Sequence, residues 1–110
     1  MYVSIWEYRA KPGRSADFEE SYGDGGQWVE LFQRGKGYLG TELLHDSSNP
    51  DHYLTIDRWV SVTHYESFLS NWKKEYEDLD TQCEDLTEQE SLLESVLIVM
   101  LQAFLACVAN

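Results

Sequence analysis

Apolar and polar residues alternate along residues 2–9, YVSIWEYR, in a stretch rich in strand formers, which predicts a first strand. KPG at 11–13 ends it. The period then lengthens. Phe18 and Tyr22 lie four apart, and Ser15 ahead of them suits a helix cap. GDGG at 23–26 breaks that helix. Trp28, Leu31 and Phe32 recur at i, i+3 and i+4, and Gly35 and Gly37 end this second piece. Alternation returns in YLGTELLH (38–45) and HYLTIDRW (52–59), with the turn residues DSSNPD (46–51) between them, so 38–59 predicts a hairpin. Ser61 or Thr63 starts the next helix, and Thr63-x-x-Glu66 fits a capping box. Tyr65, Phe68, Leu69, Trp72, Tyr76, Leu79, Cys83 and Leu86 then keep spacings of three and four, which predicts one long helix of about six turns. The pattern lapses at Thr87, and a fourth strand is expected over 89–96.

The resulting order, β-α-β-β-α-β, is that of ferredoxin-like α+β folds. One domain is expected over 1–95, followed by an apolar C-terminal extension over 96–110. In the extension, VLIVM is expected to prolong the last strand and LQAFLACVA to form a helix buried against a neighbour. Its apolar run, 96–109, is shorter than the roughly 20 residues that span a bilayer. It also lacks a basic flank, so membrane contact is not expected.

Strand alternation sorts the side chains by face. Asp57 shares a face with Tyr53, Thr55 and Trp59, while Arg58 shares the other with Leu54 and Ile56. On the first strand Tyr2, Ser4, Trp6 and Tyr8 oppose Val3, Ile5, Glu7 and Arg9. Two helices cover only one face of a four-stranded sheet. The aliphatic face, with Val3, Ile5, Leu54 and Ile56, is therefore expected to pack sheet to sheet in a homodimer. Glu7 and Arg58 are expected either to pair there or to reach the rim.

Composition narrows the function. A chain of 110 residues, 43% apolar, fits a single domain with its own core. The formal charge is −12, and no basic residue follows Lys74. Such a surface repels phosphate backbones, which argues against nucleic-acid binding and for solubility. Cys83 and Cys107 form no CxxC motif or disulfide framework, and the N-terminus lacks a signal-peptide pattern, so the reducing cytoplasm is the expected location. His45 and His52, near the hairpin ends, are expected in solvent, without metal-ligand spacing. GDGG is a helix break rather than a phosphate loop.

The run KPG…DF…GGQWVELF…GYLGTELL…YLTIDRWVS…FLSNW…EY…L…LTEQE resembles the antibiotic biosynthesis monooxygenase (ABM) superfamily over about residues 1–93. The resemblance implies a dimeric α/β barrel and a cavity between sheet and helices. It places Trp59 in that cavity, and by alternation Tyr53, Thr55, Asp57, Ser4, Trp6 and Tyr8 with it. The cofactor-free polyketide oxygenases of the family have a tyrosine six residues past the tryptophan, where Tyr65 stands. Their cavity asparagine corresponds to Thr55 and their second-helix arginine falls near Leu79, so the same reaction does not carry over directly. The haem-degrading members resemble this chain less. Leu69 stands at their axial histidine and Trp6 at their first-strand asparagine, and His64 is half a turn or more from the required face.

The expected function is a cofactor-independent monooxygenase acting on a small aromatic or quinone-like molecule and O₂, without metal. Asp57 is the candidate base, because a carboxylate on the cavity face is partly desolvated and its pKa rises toward neutral. Tyr65 and Trp59 are expected to orient the substrate, and Trp6, Tyr8, Tyr53, Thr55 and Trp72 to line the pocket. The competing reading is a non-catalytic, dimeric ligand-binding or stress-associated protein on the same fold. An open pocket with a shifted Asp57 favours the enzyme, and a pocket filled by its own aromatics favours the alternative.

Overall fold

The computed structural model of the protein describes residues 1–97. The elements are β1 (Tyr2–Ala10), α1 (Ser15–Tyr22), α2 (Gln27–Phe32), β2 (Tyr38–His45), β3 (His52–Trp59), α3 (Val62–Asn71), α4 (Lys73–Cys83) and β4 (Thr87–Leu97), with a 3₁₀ turn at Glu84–Leu86. The four strands form one antiparallel sheet in the order β2-β3-β1-β4. This is the ferredoxin-like α+β arrangement that the order of elements predicts. The expected helix over 101–109 lies outside the described residues, as does most of the strand extension; β4 itself runs to Leu97.

Alternation holds along β3. Tyr53, Thr55, Asp57 and Trp59 are buried, while His52, Leu54, Ile56 and Arg58 are half-buried on the other face. The in-register pairing of Ser4 with Asp57 and Trp6 with Thr55 puts the same face of β1 beside them. Three register shifts, at Tyr38/Gly40, Ile5/Trp6 and Arg9/Ala10, interrupt the ladders of the two outer strands.

The core beneath the helices is largely aromatic. Phe18 stacks on Tyr22 at 4.2 Å and meets Tyr53 at 4.6 Å and Tyr8 at 5.2 Å. A second cluster surrounds the fully buried Trp59, with Phe68 at 5.1 Å, Tyr38 at 5.2 Å and Phe32 at 5.9 Å. Phe18 and Phe68 are essentially fully buried, and burial of each contributes roughly 2–3 kcal/mol. Gly35 allows the second cluster to close: a Cβ there would stand 2.9 Å from both Trp59 and Phe68.

Local details differ from the sequence pattern. Ser15 is the first residue of α1 and makes no capping bond; its hydroxyl instead donates to Asp51 at 3.1 Å, tying α1 to the β2–β3 turn. Ser61 caps α3, accepting from the His64 backbone N–H at 3.1 Å, so Thr63 lies inside the helix and the Thr63–Glu66 capping box does not form. The expected long helix is two. Trp72, at φ −121° and ψ 27°, leaves helical geometry between α3 and α4. The Trp72 N–H still reaches Phe68 and its carbonyl still accepts from Tyr76, each at 2.9 Å, so the apolar spacing continues across the break. Within the chain Arg58 pairs with Glu42 at 2.6 Å and Glu7 with His52 at 3.1 Å, so Glu7 and Arg58 each take another partner there. His52 is half-buried and also held by Asp46 at 3.1 Å, while His45 is exposed, as expected, with its ring stacked on Tyr53 at 4.4 Å.

Candidate active site

A cavity of about 40 Å³ lies between the sheet and the helices. Its floor is the inner face of the sheet: Trp6 and Tyr8 of β1, Thr41 of β2, Thr55 and Asp57 of β3, and Glu90 of β4. Tyr22, Trp28, Phe32, Tyr76 and Asp80 close it from the helix side. Trp28 links the walls, with its ring 5.9 Å from Tyr22, 5.8 Å from Phe32 and 5.1 Å from Tyr76. Glu90 is exposed and Asp80 half-buried, so the cavity opens to solvent on their side.

Four of the candidate residues meet here: Trp6, Tyr8, Thr55 and Asp57. The other four do not line the cavity. Trp59, two residues along the same strand face, is sealed within its aromatic cluster, and its indole N–H has no hydrogen-bond partner among the described residues. Tyr53 is buried against Phe18. Tyr65 lies between Tyr2 at 5.2 Å and Trp59 at 5.7 Å, and burial, then Tyr2 and Asp57, push its phenol up to about 12. Trp72 sits at the break between α3 and α4 with the Arg34 guanidinium 5.3 Å from its ring.

Asp57 is 8% exposed. Among the described residues it has one hydrogen bond, donated by the Thr41 hydroxyl to Oδ1 at 2.7 Å, and no cation pairs with it. Burial raises its carboxyl from 3.8 to about 6, against the opposing effect of Thr41. Since the Thr41 proton goes to Asp57, the Tyr38 phenol is the donor in its 2.5 Å bond with Thr41. Tyr38, Thr41 and Asp57 thus form a directed hydrogen-bonded chain. The register explains it: Thr41 stands opposite Asp57 on the neighbouring strand.

The phenols of Tyr8, Tyr22 and Tyr76 are all raised, with burial the largest cause in each, so they remain neutral donors at ordinary pH. Glu90 is raised by burial and then by Asp80 and Glu84. The sequence reading missed Thr41, Tyr22, Trp28, Tyr76, Asp80 and Glu90 as wall residues. Thr41 was accessible in principle, since pairing the hairpin about its turn puts it across from Asp57. No group of three or more His, Cys, Asp or Glu residues capable of holding a metal ion occurs among the described residues.

The family described as antibiotic biosynthesis monooxygenase matches residues 1–78. No curated protein sequence matches the chain. Among solved structures, an antibiotic biosynthesis monooxygenase from Bordetella bronchiseptica is similar at TM-score 0.71 and 20% identity, over 87% of this chain and 94% of that one. A variant of SnoaB, a cofactor-independent oxygenase from Streptomyces nogalater, is similar at TM-score 0.70 and 17% identity, over 84% and 90%. A variant of MhuD with two manganese protoporphyrin IX molecules per active site is similar at TM-score 0.67 and 17% identity, over 90% and 95%. At these identities the likenesses speak for the fold.

The raised Asp57 has a consequence for stability. A carboxyl whose pKa is higher in the folded state favours folding below its unfolded value and opposes it once pH passes the folded value. Here the window runs from 3.8 to about 6. Asp57→Asn keeps an acceptor for Thr41 and removes the charge. The variant is expected to exceed wild type in stability by roughly 2–3 kcal/mol at pH 8 and to match it near pH 4. Urea unfolding at the two pH values checks this, and a loss of stability at both contradicts it.

Proposed function

The chain belongs to the antibiotic biosynthesis monooxygenase family, and on that premise we propose that it is a cofactor-independent oxygenase of a small aromatic or quinone-like molecule. The observation that carries this reading is the buried Asp57 on the cavity floor, lifted to about 6 and, among the described residues, bonded only to Thr41. A base with a pKa near the working pH combines the right protonation state with useful strength. In this reading Asp57 takes a hydroxyl proton from a hydroquinone-type substrate. The resulting anion passes an electron to O₂, and the protein contributes orientation and exclusion of water. Trp6 and Tyr8 supply the ring contacts, and Thr55 a hydroxyl at the floor. Trp59 and Tyr65 act from behind, fixing the end of β3 that carries Asp57; Tyr53 and Trp72 hold the walls from outside the cavity.

A specific observation favours a second reading, a ligand-binding protein without catalysis. The cavity is narrow because its own aromatics fill most of the space: about 40 Å³ holds only about three waters. Haem chemistry finds less support. None of His45, His52 and His64 lines the cavity, so none is placed to give an axial imidazole there.

The sheet's outer face supports a homodimer. Ile5, Leu54 and Ile56 are only half-buried there, and Leu44 is 43% exposed. No helix among the described residues is long and apolar enough to cross a membrane.

Oxygen uptake with a panel of hydroquinones and anthrones, without added cofactor, tests the enzyme. Wild type is expected to consume O₂ and Asp57→Asn to do so at least about tenfold more slowly. Equal rates remove Asp57 from the mechanism, and no uptake on any panel member shifts the balance to the binding reading. Sedimentation velocity tests the dimer: wild type is expected to sediment as a dimer and Ile56→Glu as a folded monomer. A monomeric wild type contradicts the interface.

A further inference from the structure

The carboxylates of the cavity lie at three depths. Glu90 is exposed, Asp80 is half-buried at the rim, and Asp57 is 8% exposed on the floor. No lysine, arginine or histidine lines the cavity. None of the ion pairs among the described residues involves any of the three. The Asp57 Oδ2 atom has no hydrogen bond among the described residues, although its side chain faces the cavity. The remaining walls are rings, with Trp6, Tyr8, Trp28 and Tyr76 around the carboxylates.

Rings and carboxylates converging on a small space suit a cation. The faces of Trp and Tyr attract ammonium groups, and a desolvated carboxylate is stabilised by the same charge. The size agrees. About 40 Å³ admits one small polar group of a ligand whose ring lies toward the mouth. The chemistry agrees as well. A phenolate generated beside Asp57, which is neutral once it has taken the proton, would face repulsion from the two remaining carboxylates, Asp80 and Glu90, unless the substrate brings its own positive charge.

We propose that the cavity binds an ammonium group at its opening, and that the substrate of this chain is an amine-bearing phenol or hydroquinone whose cationic head lies against Asp80 and Glu90 while its hydroxyl reaches Asp57 on the floor. The inference rests on the cavity being the ligand site of the oxygenase reading. Asp80 and Glu90 would hold the amine at the opening, and overall negative charge would speed encounter at low salt.

Calorimetric titration with tyramine and with 4-ethylphenol, which differ only in the amine, separates charge recognition from ring recognition. Tyramine is expected to bind about tenfold or more tightly than 4-ethylphenol at low salt. Glu90→Gln, at an exposed position, is expected to weaken tyramine several-fold more than 4-ethylphenol, and Asp57→Asn to affect the two compounds alike, with near-ultraviolet circular dichroism confirming that both variants fold. Equal affinity of wild type for the two compounds overturns the ammonium site while leaving the oxygenase reading intact. No binding of either, in a protein that still consumes O₂ with hydroquinones, also overturns it. No binding and no consumption would remove both readings.

Discussion

A carboxyl group buried without a cation governs this structure. Alternation along β3 gives Asp57 no exit, since Tyr53, Thr55 and Trp59 on the same face are needed inside. The chain meets part of the cost. Thr41 on β2 donates one hydrogen bond and is itself held by Tyr38, so one oxygen is satisfied by a neighbouring strand. The rest of the cost remains as a charged form less favoured than in water, which lifts the carboxyl to about 6. A group so placed is expensive for folding and useful for proton transfer, the pairing expected of functional sites.

The aromatic packing explains why there is a cavity at all. Flat rings tile in tilted and edge-on contacts, as Phe32 does against Trp59 at 74° and Phe68 at 77°. The clusters on Phe18 and Trp59 each close well, and the gap is left between them, bridged by Trp28 and Tyr76. Asp57 occupies that gap. The same rings make the gap narrow, so ring positions at the mouth, above all the half-buried Trp6 and Tyr76, control what can enter.

The fold was legible because the first three strands and most helical pieces carry a clean period. The order of elements followed from that, and so did the inner face of β3 residue by residue. The break at Trp72 was not legible: Phe68, Trp72 and Tyr76 keep their spacing through it, and hydrophobic period records which face is buried rather than where the backbone bends. Ser15 and Thr63 are competent caps by residue type, and only tertiary placement sends one to the 50–51 turn and the other into the helix. At the site, alternation found Trp6, Tyr8, Thr55 and Asp57 on the right face, but face alone cannot separate cavity from core. Trp59 shares the face with Asp57 and is fully buried, because Gly35, remote in sequence, lets α3 and the preceding loop close over it. Asp80 and Glu90 read as two more charges in an acidic C-terminal third, since what distinguishes them is the shared opening.

The measurement that bears most directly on this account is the titration of the Asp57 carboxyl carbon by NMR in the folded, ligand-free protein, assigned against Asp57→Asn. A midpoint near 6 is predicted, well above the ordinary aspartate value. A midpoint at or below about 4 would mean that water or an unrecognised cation reaches the carboxylate, and the account of a desolvated base beneath the cavity would fail.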